Sequence, residues 1–115
     1  TKRFAAANGN KYPSMVHAGV YASVLHYLKA IEAAKTDDGT KVIAQMKAMP
    51  TDDPLFGKGS IRADGRKIHP AYLFEVKKPA DSKYPWDYYN LVATIPAAEA
   101  FIPLEKSVCP MLKKT

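Results

Sequence analysis

Residues 12–36, YPSMVHAGVYASVLHYLKAIEAAKT, constrain this 115-residue chain more than any other stretch. Pro13 and Ser14 open a helix, because proline is tolerated in a first turn and serine accepts an unpaired N–H there. The spacing predicts that the helix runs to about Lys35. Val20, Val24, Tyr27, Leu28 and Ile31 recur as one stripe, while Tyr21, Leu25 and several alanines fill its flanks. Only Ser23, His26, Lys29 and Glu32 interrupt the pattern, at steps of three. A helix with so wide an apolar circumference must be covered on most sides, so whatever surrounds it decides the fold.

The rest of the chain supplies little cover. Residues 1–11 carry Phe4 and a short alanine run, and read as a helix end or a loose lead-in. After Lys35, the oxygens of Thr36, Asp37 or Asp38 can cap a second helix, TKVIAQMKAM, with Val42, Ile43, Met46 and Met49 at helical spacing and Pro50 ending it. Two helices joined by so few residues form a helical hairpin. The period then changes. Ile61–Arg62 and Lys67–Ile68 read as two strands around the turn residues Asp64 and Gly65, and AYLFEVKK continues as a strand stopped by Pro79. The tail from Tyr84 onward, rich in proline, tyrosine and tryptophan, reads as an irregular wrap with a short helix near Ala97–Phe101. An isolated hairpin is marginal in water, and it cannot cover the first helix. The chain is therefore expected to be part of a larger α/β body.

A net charge of +6 raises the question of nucleic acid. Fourteen of the seventeen basic residues are lysines, scattered along the chain, and only Arg3, Arg62 and Arg66 are arginines. Readers of nucleic acid gather arginines and aromatics on one face, so the lysines are read as a solvated surface and no nucleic-acid partner is expected. No apolar run is long enough to span a bilayer, and the N-terminal residues lack the apolar core of a signal peptide. One cysteine, Cys109, excludes a disulfide within this chain.

Chemistry is equally sparse. His17, His26 and His69 share no metal-ligand spacing, and no carboxylate or cysteine cluster accompanies them, so neither a metal nor a cofactor is expected. Ser14 and His17 lie three apart on one helix face, a proximity that any such pair shares, and no orienting partner completes a nucleophilic triad. The acidic residues Asp37, Asp38, Asp52 and Asp53 read as loop and capping residues. FGKGS lacks the spacing of a phosphate-binding loop. No catalytic residue is assigned, and the chain is not read as an enzyme. His26 is read as structural or solvated and His69 as a surface residue.

The ordered combination of HAGVYASVLHYLKAIEAA, GSIRADGRKIHPAYLFEVKKP (Gly59 to Pro79) and SKYPWDYYNLVATIP (Ser82 to Pro96) resembles the C-terminal part of periplasmic substrate-binding proteins of ABC transporters, in the branched-chain amino acid (leucine/isoleucine/valine) type. The resemblance covers essentially all of residues 10–115. It implies an α/β fold, with residues 1–115 as the C-terminal part of a two-lobe, type I periplasmic binding protein rather than a free-standing domain. It further implies a periplasmic protein whose signal peptide lies in a missing N-terminal part. Such a protein captures an amino acid or organic acid, aromatic ones included, and delivers it to a permease in the inner membrane. The alternatives are an independent small basic interaction module and a ligand-sensing domain on the same fold.

In the family's fold the long helix packs on a mostly parallel sheet, which needs helices on both faces. Ligands sit beyond the carboxyl ends of the strands, where helix N-termini converge. The candidate solute contacts are therefore Met15, Val16, His17 and Tyr21, around an N-terminus that suits a carboxylate. Trp86, Tyr88 and Tyr89 are read as an aromatic stretch pinning the tail across the hinge, or alternatively as a ligand cage. In an oxidising periplasm, Cys109 is expected to pair with a cysteine of the missing portion.

Overall fold

The computed structural model describes residues 1–110 and 112. Three helices come first: α1 (Lys2–Ala7), α2 (Met15–Ala34) and α3 (Gly39–Ala48). They are followed by β1 (Thr51–Asp53), β2 (Gly57–Ile61), β3 (Lys67–Ile68), β4 (Ala71–Val76) and β5 (Tyr89–Ile95). The strands make two antiparallel sheets, one of order β1-β2-β3 and a two-stranded ribbon β4-β5.

The two long helices form as their sequences dictate. Ser14 is the N-cap of α2, and Lys35 closes it in the left-handed region (φ 54°) with its N–H bonded to the Ile31 carbonyl. Among the three capping candidates, Asp38 does the work: its Oδ1 accepts the Lys41 N–H at 2.9 Å. Residues 2–7 resolve the reading of the N-terminal segment in favour of a helix end.

The face of α2 that is buried here is not the large apolar stripe. Ala22, His26 and Ala30, four residues apart, are the buried positions, and the two small alanines let α3 approach closely. Val42 of α3 fills that contact and is fully buried. His26, read from sequence as structural or solvated, is structural: its Nε2–H donates to the Met46 carbonyl at 2.9 Å across the helix pair. The stripe itself stays open, with Val20, Val24, Tyr27 and Leu28 all exposed and Ile31 half-buried.

Two features of the strand region differ from the sequence reading. Thr51–Ile61 forms a β1–β2 hairpin that its Asp-, Pro- and Gly-rich composition hides. Asp53 makes it: Oδ1 accepts the N–H groups of Leu55 (2.9 Å) and Phe56 (2.8 Å), Oδ2 accepts from Lys67 Nζ on β3 (2.6 Å), and Gly57 takes φ 66° to re-enter the strand. Secondly, residues 89–95 of the tail are not an irregular wrap but β5, paired with β4 from Ala71↔Ile95 to Val76↔Tyr89. A register shift at Leu73/Phe74 breaks the two-residue alternation. The expected helix near Ala97–Phe101 is a single turn, in which the Glu99 and Ala100 N–H groups bond to the Pro96 carbonyl. The β2–β3 turn agrees with expectation, with Gly65 at φ 82° and its N–H bonded to the Arg62 carbonyl.

The Cα radius of gyration is 17.4 Å, with extents of 55 × 34 × 21 Å, against about 13 Å for a compact chain of this length. The ribbon is the reason: among the described residues, its backbone approaches no helix and no other strand. So extended a shape matches a piece of an α/β body better than an independent module. Among the described residues, no helix is long and apolar enough to cross a membrane.

Candidate functional site

The first turn of α2 is an open surface. Met15 is 87% exposed and Val16 67%, and His17 and Tyr21 are exposed beside them. His17 is held rather than free. Its Nδ1 accepts the Ser14 N–H at 3.1 Å and lies 2.9 Å from Ser14 Oγ, the reciprocal arrangement of a helix cap. Because a backbone N–H can only donate, Nδ1 is an acceptor and the ring proton sits on Nε2. The Phe4 ring meets the imidazole edge-on at 4.9 Å, so α1 braces the side chain from behind. Tyr21 lies one turn further along the same face, and from it the exposed stripe continues through Val24 and Leu28. The first N–H groups of a helix have no carbonyl of a preceding turn to bond, and the N-terminus of this 20-residue helix carries the partial positive charge that suits an anion.

The Ser14–His17 proximity is therefore a cap. No carboxylate orients the imidazole among the described residues, so the third member that a nucleophilic triad needs is missing. Nor do three or more His, Cys, Asp or Glu side chains converge among the described residues.

The aromatic stretch that the sequence marks forms a row and not a cage. Trp86 lies 5.6 Å from both Tyr12 and Tyr88, Tyr88 6.3 Å from Tyr89, and Tyr89 5.8 Å from Phe74. Trp86 takes φ 73°, unusual for a bulky side chain. The turn is fixed by buried Asp87, whose carboxylate accepts from Lys77 Nζ (2.7 Å) and the Lys83 N–H (3.1 Å). Lys77 and the Lys83 N–H hold the Asp87 carboxyl below its ordinary value. The row leads from the ribbon to Tyr12, two residues before the α2 cap.

His69 is half-buried rather than a surface residue, wedged between Phe56 (4.7 Å) and Phe101 (5.5 Å). It anchors the returning tail together with Arg62, which pairs with Asp64 and donates to the Ile102 carbonyl at 2.8 Å. Ser107 Oγ also donates to Asp64, at 3.0 Å. Arg62, above all, keeps the Asp64 carboxyl far below the usual carboxylate range.

A second concavity of about 370 Å³ lies between α2, α3 and the β2–β3 turn, with Cys109 half-buried on its wall. Its charged groups are engaged: Lys47 donates to the Ala63 carbonyl (2.8 Å), Lys67 pairs with Asp53, and Asp64 with Arg62. Two lining groups are not so engaged: the buried Thr51 Oγ1 has no hydrogen-bond partner among the described residues, and the Cys109 thiol is free within this chain. Sequence reasoning missed Tyr12 and Phe4 as the supports of the α2 N-terminus, since lone aromatics before a helix carry no spacing signal.

The family model for periplasmic binding proteins matches residues 1–83. A solved periplasmic binding protein from Burkholderia mallei is 49% identical, with a TM-score of 0.89 over 97% of this chain. A second structure, from Burkholderia xenovorans LB400, is 44% identical, with a TM-score of 0.88 over 96% of this chain; it is described as a branched chain amino acid ABC transporter periplasmic ligand-binding protein. The chain spans 29% of the length of each of these structures. No curated protein matches.

Proposed function

The chain belongs to the periplasmic binding protein family, and from that premise we propose that it is the C-terminal part of the solute-binding component of an ABC uptake transporter. The intact protein binds an amino acid or related carboxylate between two lobes in the periplasm and hands it to the permease in the inner membrane. It binds without transforming its ligand. The observation that carries this reading is the open N-terminal end of α2, where Met15, Val16, His17 and Tyr21 are exposed. A carboxylate fits that end of the helix, the His17 Nε2–H adds a directed donor, and Met15, Val16 and Tyr21 suit an apolar side chain. The B. xenovorans relative's description supports an amino-acid type of solute, and it favours transport over a sensing role on the same fold.

Closure of two lobes on a solute requires that the solute bind the closed form more tightly than the open one. The α2 turn then supplies one wall, and the rest of the intact protein supplies the other. Native mass spectrometry of the intact protein purified from cells tests the reading. A co-purified amino acid or small carboxylate is the expected result. An empty protein that binds none of a panel of amino acids and carboxylates in calorimetry would overturn it.

A further inference from the structure

We propose that Tyr12 and Trp86 form an aromatic wall of the solute site and select a carboxylate that carries an aryl ring on a short carbon linker. The proposal deepens the reading of the α2 N-terminus as a solute contact and rests on it. Trp86 is 52% exposed. Its ring neighbours are Tyr12 and Tyr88, each at 5.6 Å, and the Tyr12 ring lies within 30° of parallel to the indole. Tyr12 stands two residues before Ser14, the N-cap of α2, a span of at most about 7 Å of extended chain. One ring contact thus ties the indole to the end of α2 where Met15 and His17 are exposed.

Packing within the chain does not account for an indole at this position. Trp86 has φ 73°, a left-handed backbone that glycine takes freely and a bulky side chain takes only at a cost. The next residue enforces it: buried Asp87 accepts from Lys77 Nζ and from the Lys83 N–H. A large side chain held in that conformation with half its surface open points to a contact outside the chain. An exposed indole and phenol offer flat apolar faces to a further ring, and aromatic pairs attract beyond the area they bury. The Asp87 carboxylate beside the indole is paired with Lys77, so it does not oppose an anionic solute. The helix N-terminus and the His17 Nε2–H take the carboxylate, and the aryl ring lies on the wall. A saturated ring of the same size gains the burial but not the ring–ring attraction, which is what makes such a wall selective.

Calorimetry of the ligand-stripped intact protein tests this with two matched pairs: L-phenylalanine against L-cyclohexylalanine, and phenylacetate against cyclohexylacetate. Each pair shares the carboxylate and the carbon skeleton and differs in the π-system. At least one aryl compound should bind about 2- to 10-fold more tightly than its saturated partner. In Trp86→Gly, a substitution that suits the backbone at φ 73°, that preference should disappear. No preference in the unmodified protein would overturn the proposal, and so would a preference that survives the substitution. A purely structural indole would instead lower the unfolding midpoint and weaken both members of a pair alike. If Trp86→Gly does not fold, Tyr12→Leu decides: it should cut the preference at least about twofold, and an unchanged preference counts against the wall. Binding of aliphatic carboxylates with rejection of both aryl compounds overturns the wall alone. Binding of no amino acid or carboxylate at all overturns the reading of the α2 N-terminus as well.

Discussion

Leu28→Ala in the intact protein probes what covers the long helix. Leu28 lies on the outward stripe of α2 and is 55% exposed in this chain, whereas Ala30 on the opposite side is fully covered. The substitution removes the side chain beyond Cβ. If a sheet covers the stripe, the transfer loss alone is about 2.4 kcal/mol, at roughly 0.8 kcal/mol for each buried methylene-sized group. Incomplete collapse around the gap places the full cost at about 2–5 kcal/mol. With the side chain half in water, no cavity forms, and the same deletion costs about 1 kcal/mol or less. Urea unfolding followed by far-UV circular dichroism measures the difference, with the exposed Glu32→Ala as the surface reference. A Leu28→Ala loss below about 0.5 kcal/mol, the range of a surface substitution, would refute burial of the stripe.

Three further outcomes are expected of the intact protein. Gly59→Ala places a Cβ 2.3 Å from the Ile68 carbonyl oxygen and 2.9 Å from Thr51 Oγ1, so the unfolding midpoint should fall by the equivalent of about 1–3 kcal/mol; an unchanged midpoint would show that β2 and β3 do not approach so closely. Burial pushes the Asp53 carboxyl up, but Lys67 and the Phe56 and Leu55 amides together hold it below its ordinary value. Its folded pKa is thus depressed, so its contribution is present above the unfolded value of about 4 and is lost as pH falls through the folded value. Acid titration of stability should accordingly be shallower below about pH 4 in Asp53→Asn than in the unmodified protein, and identical slopes would contradict the Asp53–Lys67 pairing. For Cys109, the periplasmic reading predicts a bridge to a cysteine outside this chain; thiol titration of the unfolded protein without reductant should find no free Cys109, and a full equivalent would exclude the bridge.

Local signals made the helices and the β2–β3 turn legible. Ser14, Asp38, Pro50 and the Asp64–Gly65 pair each act within a few residues of themselves, so their effect can be read without the rest of the fold. The β1–β2 hairpin was hidden because Asp53 and Lys67, fourteen residues apart, decide it. β5 was hidden by its flanking prolines and by the register shift opposite Leu73/Phe74, which erases alternation. The contact that α2 makes within this chain was not legible for a related reason. Periodicity marks the larger apolar side chains, while the contact within this chain uses Ala22, His26 and Ala30 and leaves the large stripe exposed. At the candidate site, sequence placed Met15, Val16, His17 and Tyr21 at one end of α2, but not the Phe4 contact that braces the imidazole, since this depends on where α1 packs.

Solute affinity of the intact protein with His17 altered tests most directly whether the α2 N-terminus faces the ligand. His17→Ala should raise Kd by about tenfold, or roughly 1.4 kcal/mol. Because His17 also caps the helix, His17→Gln is measured beside it: glutamine at this position can still reach back to the Ser14 N–H, which separates a lost contact from a frayed helix. His26→Ala, buried against α3, should lower stability and leave Kd alone. Isothermal titration calorimetry that finds Kd unchanged in His17→Ala would contradict a solute contact at this turn and reduce it to the wall of the cleft.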